Sequence, residues 1–258
     1  MPARNMTHPI AVGIDIGGSG VKGASVDIAA GSLMSERLRE RTPAPSTPDA
    51  VARVVARVAG GIAVAGPVGV TFPGVVRGGV VETAANLDAG WIGVDAAALF
   101  AGHLGRPVVV LNDADAAGLA EMTLGAGRGR TGVVMMVTLG TGIGSALFLD
   151  GRLVPNTELG HIIVSGKDGE RLAAASVRTV KHLTWKAWSK RLNAYLARLE
   201  CLLALDLIII GGGISKDYAE FVPHLRARAE LVPARLYNDA GIVGAALATA
   251  VPGTVTHR

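Results

Sequence analysis

Aromatic side chains are scarce: Phe, Trp and Tyr make up 4% of the 258 residues. Binders of single-stranded nucleic acid stack bases on such rings, so the shortage weighs against a nucleic-acid partner. Cysteine occurs once, at Cys201. That excludes an intramolecular disulfide framework and a cysteine-rich zinc site, and a lone cysteine of this kind is expected as a small core residue. Charged residues are 18% of the chain, below the usual quarter. Half the chain is hydrophobic, which excludes disorder. Long apolar runs are missing too. Ile10–Ile14 is too short for a signal peptide and is stopped by Asp15. The uncharged stretch Ala240–Thr256 is broken by Gly241, Gly244, Pro252 and Gly253 and is too short to span a bilayer. A soluble, cytoplasmic protein without membrane contact is expected.

Glycine is what the chain has in excess, with 35 residues, beside 12 prolines. The glycines have no three-residue period, so the chain is not collagen-like. The length suits one large domain or two modest ones. The net charge is +4, with mild basic clusters at 37–41, 128–130 and 181–191. A solvated surface and an anionic ligand such as a phosphate chain both fit that balance.

Three apolar runs of strand length each lead into a glycine loop. Ile10–Ile14 precedes DIGGSGVK (15–22), Val133–Val137 precedes TLGTGIG (138–144), and Leu207–Ile210 precedes GGGIS (211–215). Sliding the first segment by 123 positions brings Gly17 onto Gly140, Val26 onto Leu149 and Asp27 onto Asp150. In both, a strand turns through glycine into a second strand and meets a turn signal. The pattern predicts a duplicated unit. Helices are expected over 48–59, 95–104, 113–124, 174–204, 222–230 and 242–250, with a strand at 108–111. Strands alternating with helices read as an α/β fold.

Glycine lets backbone amides converge on phosphate oxygens. In the first loop Gly17, Gly18 and Gly20 can do so, Ser19 or Lys22 can meet phosphate, and Asp15 can hold a hydrated Mg²⁺. A tight hairpin with an exposed aspartate explains the same residues. The spacing is neither a P-loop nor GxGxxG. In the second loop Thr138 and Thr141 add hydroxyls to Gly140 and Gly142. In the third, Gly212 and Gly213 can lie against a phosphate or a flat ring. Asn112, Asp113 and Asp115 sit at a strand end before a helix. They can cap that helix, or a carboxylate beside a carboxamide can hold a hydroxyl and accept its proton. Glu158 and His161 are three apart, as metal ligands can be on a helix. Gly160 and Pro155 argue against a long helix and no second such pair exists, so sugar hydroxyls are the better expectation, with a satisfied structural pair as the alternative.

In this order, the motifs resemble the ROK family of sugar kinases within the actin-like ATPase superfamily, over nearly the whole chain. DIGGSGVK looks like its first phosphate motif, GVTFPGVV (69–76) its PG segment, and Asn86 with Trp91 the loop that follows. LNDADAAGLAE (111–121) looks like the segment with the catalytic aspartate, LGTGIG the second phosphate motif, ELGH the glucose-contacting motif, and GGGIS the adenosine or phosphate-chain motif. Two departures stand out. The stretch 162–170 has no cysteine where most of the family has a zinc motif, so no zinc is expected. Nine residues before the first strand leave no room for the helix-turn-helix of the family's repressors. The zinc-less form, with a Trp-containing helix, is most similar to the actinobacterial polyphosphate glucokinases.

The resemblance implies an α/β actin-like ATPase (RNase H-like) duplicated fold, with a small domain (9–112 plus 241–258), a large one (113–240) and a central cleft for sugar. It implies phosphorylation of glucose at the 6-hydroxyl with polyphosphate, ATP or both as donor, and a homodimer. Asp113 would be catalytic. Asn112, Asp113, Glu158, His161 and Glu170 would bind sugar. Asp15, Gly17, Gly18, Ser19, Gly20, Lys22, Thr138, Gly140, Thr141, Gly142, Gly212 and Gly213 would bind the donor, with Asp15 holding Mg²⁺ through water. Another hexose or amino sugar as acceptor, or a sugar-binding protein without catalysis, are the competing expectations.

Overall fold

The computed structural model describes residues 9–84 and 87–250. The chain divides into two compact units, Met1–Ala120 with Gly241–Arg258, and Glu121–Ala240.

The first unit holds strands β1 (Ile10–Gly17), β2 (Gly20–Asp27), β3 (Ser32–Leu33), β4 (Leu38–Glu40), β5 (Val68–Phe72), β6 (Val76–Arg77), β7 (Val80–Val81) and β8 (Val108–Asn112). Helices α1 (Pro48–Gly60), α2 (Ala96–Leu104) and α3 (Asp113–Leu124) run between and after them. The main sheet has the order β3-β2-β1-β5-β8, with β4 also on β2. β1 and β2 form an antiparallel hairpin, whereas β1, β5 and β8 are parallel. Side chains alternate along a strand. Val12, Ile14, Val68 and Val70 therefore share a face and pack with Val51, Val55 and Val58 of α1. The intervening Gly13 and Gly69 lie against the C-terminal helix (Ala240–Ala248): a Cβ on either would overlap the carbonyl of Ile242 or Ala245. That helix sits directly on the sheet because these strand positions carry no side chain.

The second unit holds β9 (Val133–Leu139), β10 (Ile143–Leu149), β11 (Arg152–Val154), β12 (Ile163–Val164), β13 (Lys167–Asp168), β14 (Leu207–Gly211) and β15 (Glu230–Pro233). Its helices are α4 (Gly169–Ala173), α5 (Ala175–Val180), α6 (Trp185–Leu202) and α7 (Tyr218–Phe221). The sheet order is β11-β10-β9-β14-β15, again a hairpin followed by parallel strands. Trp188, Leu192, Tyr195, Leu196 and Leu199 are fully buried. They form the apolar stripe of α6 at helical spacing.

The duplication expected from the 123-residue offset is present as this shared strand order. The loops nonetheless differ by one residue. Gly17 pairs with Gly20, leaving Gly18 and Ser19 between them. Leu139 pairs with Ile143, leaving Gly140, Thr141 and Gly142.

Several expectations are corrected. The helix expected over 174–204 is two helices: Ala174 is extended and His182 has a φ of 49°. Thr184 then caps α6 through the Ala187 amide, and the Trp188 indole donates to the carbonyls of Ala173 and Ala174 at the junction of α4 and α5. No helix covers 222–230. A short turn at Val222–His224 gives way to extended chain and β15. Side chains of α6 take the backbone groups a helix would use: Asn193 binds His224 and Arg226, and Glu200 accepts from the amides of Arg228 and Ala229. Cys201 is exposed, two residues past Leu199 and so off the buried stripe of α6. The two compact units divide within α3, between Ala120 and Glu121. Ala116 abuts Gly244 of the C-terminal helix, whereas Glu121 accepts from the amides of Ala126, Arg235 and Leu236. Among the described residues no helix is long and apolar enough to cross a membrane.

Candidate functional site

In each unit the candidate residues gather where parallel strands end, the edge at which open α/β sheets bind ligands.

In the first unit, β1 ends in Asp15 and the glycine loop. The buried Thr71 hydroxyl on β5 accepts from the Ile16 amide at 3.1 Å and donates to Asp15 Oδ1 at 2.9 Å. Lys22, opposite Asp15 in the hairpin register, brings Nζ within 3.6 Å of Oδ2. Asp15 is therefore oriented from both sides, and Lys22 answers its charge. Thr42 donates to the Gly17 carbonyl at 2.6 Å. The Arg39 guanidinium lies across the loop: its Nε would be 2.9 Å from a Cβ on Gly20, and it donates to the Ser19 carbonyl. A Cβ on Gly17 would make only an ordinary 3.4 Å contact.

At the end of β8, Asn112 is buried. Its Oδ1 accepts from the amides of Ala114 and Asp115 at 2.8 and 3.0 Å, and its Nδ2 donates to the Gly74 carbonyl at 3.1 Å. Asn112 thus caps α3 and anchors the PG segment. Asp113 is exposed at the first position of α3, with Oδ1 2.8 Å from the Ala114 amide. The partial positive charge of a helix N-terminus favours a carboxylate there. Trp91 is a core residue whose indole donates to the Ser46 carbonyl. Asn86 lies outside the described residues.

In the second unit, Ser176 of α5 grips the second loop. Its amide donates to the Gly140 carbonyl at 3.0 Å and its hydroxyl to the Thr141 carbonyl at 2.6 Å. In a trans peptide the N–H points opposite the C=O, so the amides of Thr141 and Gly142 are turned away from α5. Glu170 Oε2 accepts from the Ile143 amide at 2.9 Å, and a Cβ on Gly142 would overlap that carboxylate. The third loop adjoins the second: Gly211 pairs with Thr138 in the parallel register. Gly212, at a φ of 81°, lies against the Leu139 backbone, whereas Gly213 has open space. An open pocket of about 280 Å³ is lined by Thr141, Glu170, Arg171, Ser176 and Lys181, with Val177 and Val180.

The ELGH segment is fixed to β10 by Ser145, whose hydroxyl donates to the Thr157 carbonyl and accepts from the Leu159 amide. A side chain at Gly160 would overlap the Ile143 carbonyl. His161 and Glu158 are exposed. His161 Nδ1 is 2.9 Å from Asp168 Oδ2. That hydrogen bond holds the imidazole above its ordinary range against the opposing effect of burial, and the charges of Asp168, Glu170 and Glu158 add to it. Burial pushes Asp168 upward, but its bonds to His161 and to the amides of Arg171 and Glu170 leave it below the usual carboxylate range.

Three residues singled out in sequence, Glu158, His161 and Glu170, therefore form one group in the second unit. Asn112 and Asp113 form another in the first, as do Asp15 and Lys22. Thr71, Arg39 and Asp168 were missed. Thr71 stands inside GVTFPG, where a hydroxyl among buried apolar residues was the available signal. Arg39 stood only within the basic cluster 37–41, and Asp168 carried no signal.

Among the described residues no group of three or more His, Cys, Asp or Glu side chains is placed to hold a metal ion. A lone carboxylate such as Asp15 suits Mg²⁺, which keeps several waters and takes further oxygens from substrate phosphates.

Two sheets of one strand order, each ending its hairpin in a glycine loop, define the actin-like ATPase fold. The ROK family model matches residues 11–172. A polyphosphate glucokinase of Mycobacterium tuberculosis is 49% identical over 94% of this chain and 92% of its own. The crystal structure of an inorganic polyphosphate/ATP-glucomannokinase from Arthrobacter sp. strain KM is 50% identical, with a TM-score of 0.89 over 94% of this chain and 98% of its own. A ROK family glucokinase from Streptomyces griseus, solved with glucose and AMPPNP, is 25% identical with a TM-score of 0.77, over 92% of this chain and 98% of its own. The chain belongs to the ROK family.

Proposed function

We propose that this protein is a glucokinase that transfers a phosphoryl group from inorganic polyphosphate, ATP or both to the 6-hydroxyl of glucose. The observation that carries the reading is in the second unit. Glu170 stands in the carboxylate–histidine group of the ELGH segment and is also bonded to the phosphate-type loop, through the Ile143 amide. Sugar recognition and donor binding thus share one side chain. The names of the relatives support the same reaction.

In this mechanism Asp113 orients the 6-hydroxyl and accepts its proton as the oxygen attacks the terminal phosphorus. The bridging P–O bond breaks, and a shortened polyphosphate or ADP leaves. Phosphoryl transfer depends on positioning and charge stabilisation more than on a strong base. Asn112 holds the start of α3, and with it the Asp113 backbone. Glu158, His161 and Glu170 bind the remaining hydroxyls. The amides of Thr141 and Gly142 receive donor oxygens, with Gly17, Gly18, Gly20, Ser19, Lys22, Thr138, Gly140, Gly212 and Gly213 as further donor contacts. Asp15 would hold Mg²⁺ through water, and the ion would offset charge on the phosphate oxygens. A cytoplasmic homodimer is the expected working form, tested by light scattering.

Initial rates with glucose and either polyphosphate or ATP test the reading. Glucose 6-phosphate is expected with at least one donor, and none with either would contradict it. The similarity to a glucomannokinase favours a second acceptor, so mannose is expected to be phosphorylated in the same assay.

A further inference from the structure

We infer that Asp168 is a positioning residue for glucose binding: one carboxylate oxygen holds His161 so that Nε2 is presented to the sugar, and the other starts the helix that carries Glu170. The inference rests on the sugar-site reading above and names a residue which that reading does not include.

The geometry comes from a tight hairpin. Ser165 and Gly166 have φ of 51° and 75°, the left-handed pair that a two-residue hairpin turn requires. The turn folds β13 back on β12 with Asp168 opposite Ile163. A residue seven positions along the chain thereby reaches His161. Oδ2 accepts a hydrogen bond from Nδ1 at 2.9 Å. The proton is thus fixed on Nδ1, and Nε2 is left for a ligand, as donor when the ring is charged and acceptor when it is neutral. Oδ1 accepts from the Arg171 amide at 3.2 Å and caps α4, in which Glu170 is the second residue.

Structure alone does not account for the pair. Capping α4 needs one oxygen and no histidine. Asp95 caps α2 in that way, through the Ala98 amide. The ion pair is partly exposed, with side-chain exposure of 52% at His161 and 27% at Asp168, and such pairs add little to stability. What the second oxygen does is aim an imidazole.

The charged groups acting on His161 are all carboxylates: Asp168, Glu170 and Glu158. From α6, which packs against β12 and α4, Tyr195 donates its hydroxyl to the Leu159 carbonyl. Burial raises its pKa, so it stays neutral. His161 therefore keeps its proton to higher pH than a free imidazole, and Nε2 donates to a sugar oxygen over that range. Glucose affinity is expected to weaken as pH rises through the raised value.

The test is Asp168→Asn, because asparagine caps helices as well as aspartate but cannot hold the imidazolium. Glucose binding is measured by calorimetry without donor, and KM and kcat with donor, from about pH 5 to 9, alongside Tm. The expected result is a glucose Kd and KM raised about tenfold with kcat within about twofold, a Tm near wild type, and an affinity limb moved to lower pH. Asp168→Ala is expected to lower Tm as well, since it removes the cap. Wild-type glucose affinity and an unmoved limb in Asp168→Asn would overturn the inference, as would a loss that is equal at every pH and tracks Tm. His161→Ala separates the two levels. If it weakens glucose binding while Asp168→Asn does not, Asp168 alone is misassigned. If it binds glucose as wild type does, the sugar-site reading itself fails.

Discussion

The hairpins β1–β2 and β9–β10 are the same device in two settings. Both lie in sheets of one strand order, and both end in glycine loops. The first loop is short and flanked by charge, with Asp15 and Lys22 at its base and Arg39 across it. The second is one residue longer and held from outside. Ser176 grips its carbonyls, and Glu170 takes the amide that follows it. The difference teaches that glycine serves two ends here. Gly17 leaves room beside a backbone that a phosphate can approach. Gly142 makes room for a carboxylate of the protein itself. Around these loops the units carry different groups, between which the proposed function divides the chemistry. The first presents an aspartate at a helix start, and the second groups carboxylates with a histidine.

That division is broken most forcefully at Asp113. Asp113→Asn keeps shape and removes the proposed proton acceptor, so kcat is expected to fall by about 100-fold or more, with glucose KM within about threefold. A kcat within threefold of wild type would remove the assigned role. Next comes the contrast between the loops. Gly142→Ala drives a methyl group into the Glu170 carboxylate. It is expected to raise glucose KM about tenfold and to lower Tm, as overpacking does. Gly17→Ala meets only ordinary contact and is expected to leave Tm and glucose KM unchanged while raising donor KM a few-fold. Equal Tm losses in the two variants would erase the contrast. The smallest effect is expected from Thr71→Val, which strands the buried Ile16 amide and releases Asp15. A stability loss of about 1–3 kcal/mol, read by denaturant unfolding, should accompany a higher Mg²⁺ requirement. An unchanged Mg²⁺ requirement would count against Asp15 as its holder.

The loops were legible because β-branched runs followed by glycine leave few alternatives, and because the 123-residue offset repeats the whole hairpin. The ends of α3 were legible from Asn112 and Leu124. Less could be read where tertiary partners override local preference. The segment 222–230 has helical composition, but Asn193 and Glu200 claim its amides from another helix. Cys201 sits on a helix whose buried apolar stripe ends at Leu199. Glu158, His161 and Glu170 were found as types in a motif, but Asp168 was not, because its contact depends on the Ser165–Gly166 turn. Part of the glycine excess lets the C-terminal helix lie on the sheet at Gly13 and Gly69, and on α3 through its own Gly244.

The division of labour is tested most directly by equilibrium glucose binding to Asp113→Asn and His161→Ala, measured by calorimetry without a donor. The account expects Asp113→Asn to bind glucose within about threefold of wild type, and His161→Ala to bind at least about tenfold more weakly. Equal losses in both variants, or wild-type binding by His161→Ala, would contradict it.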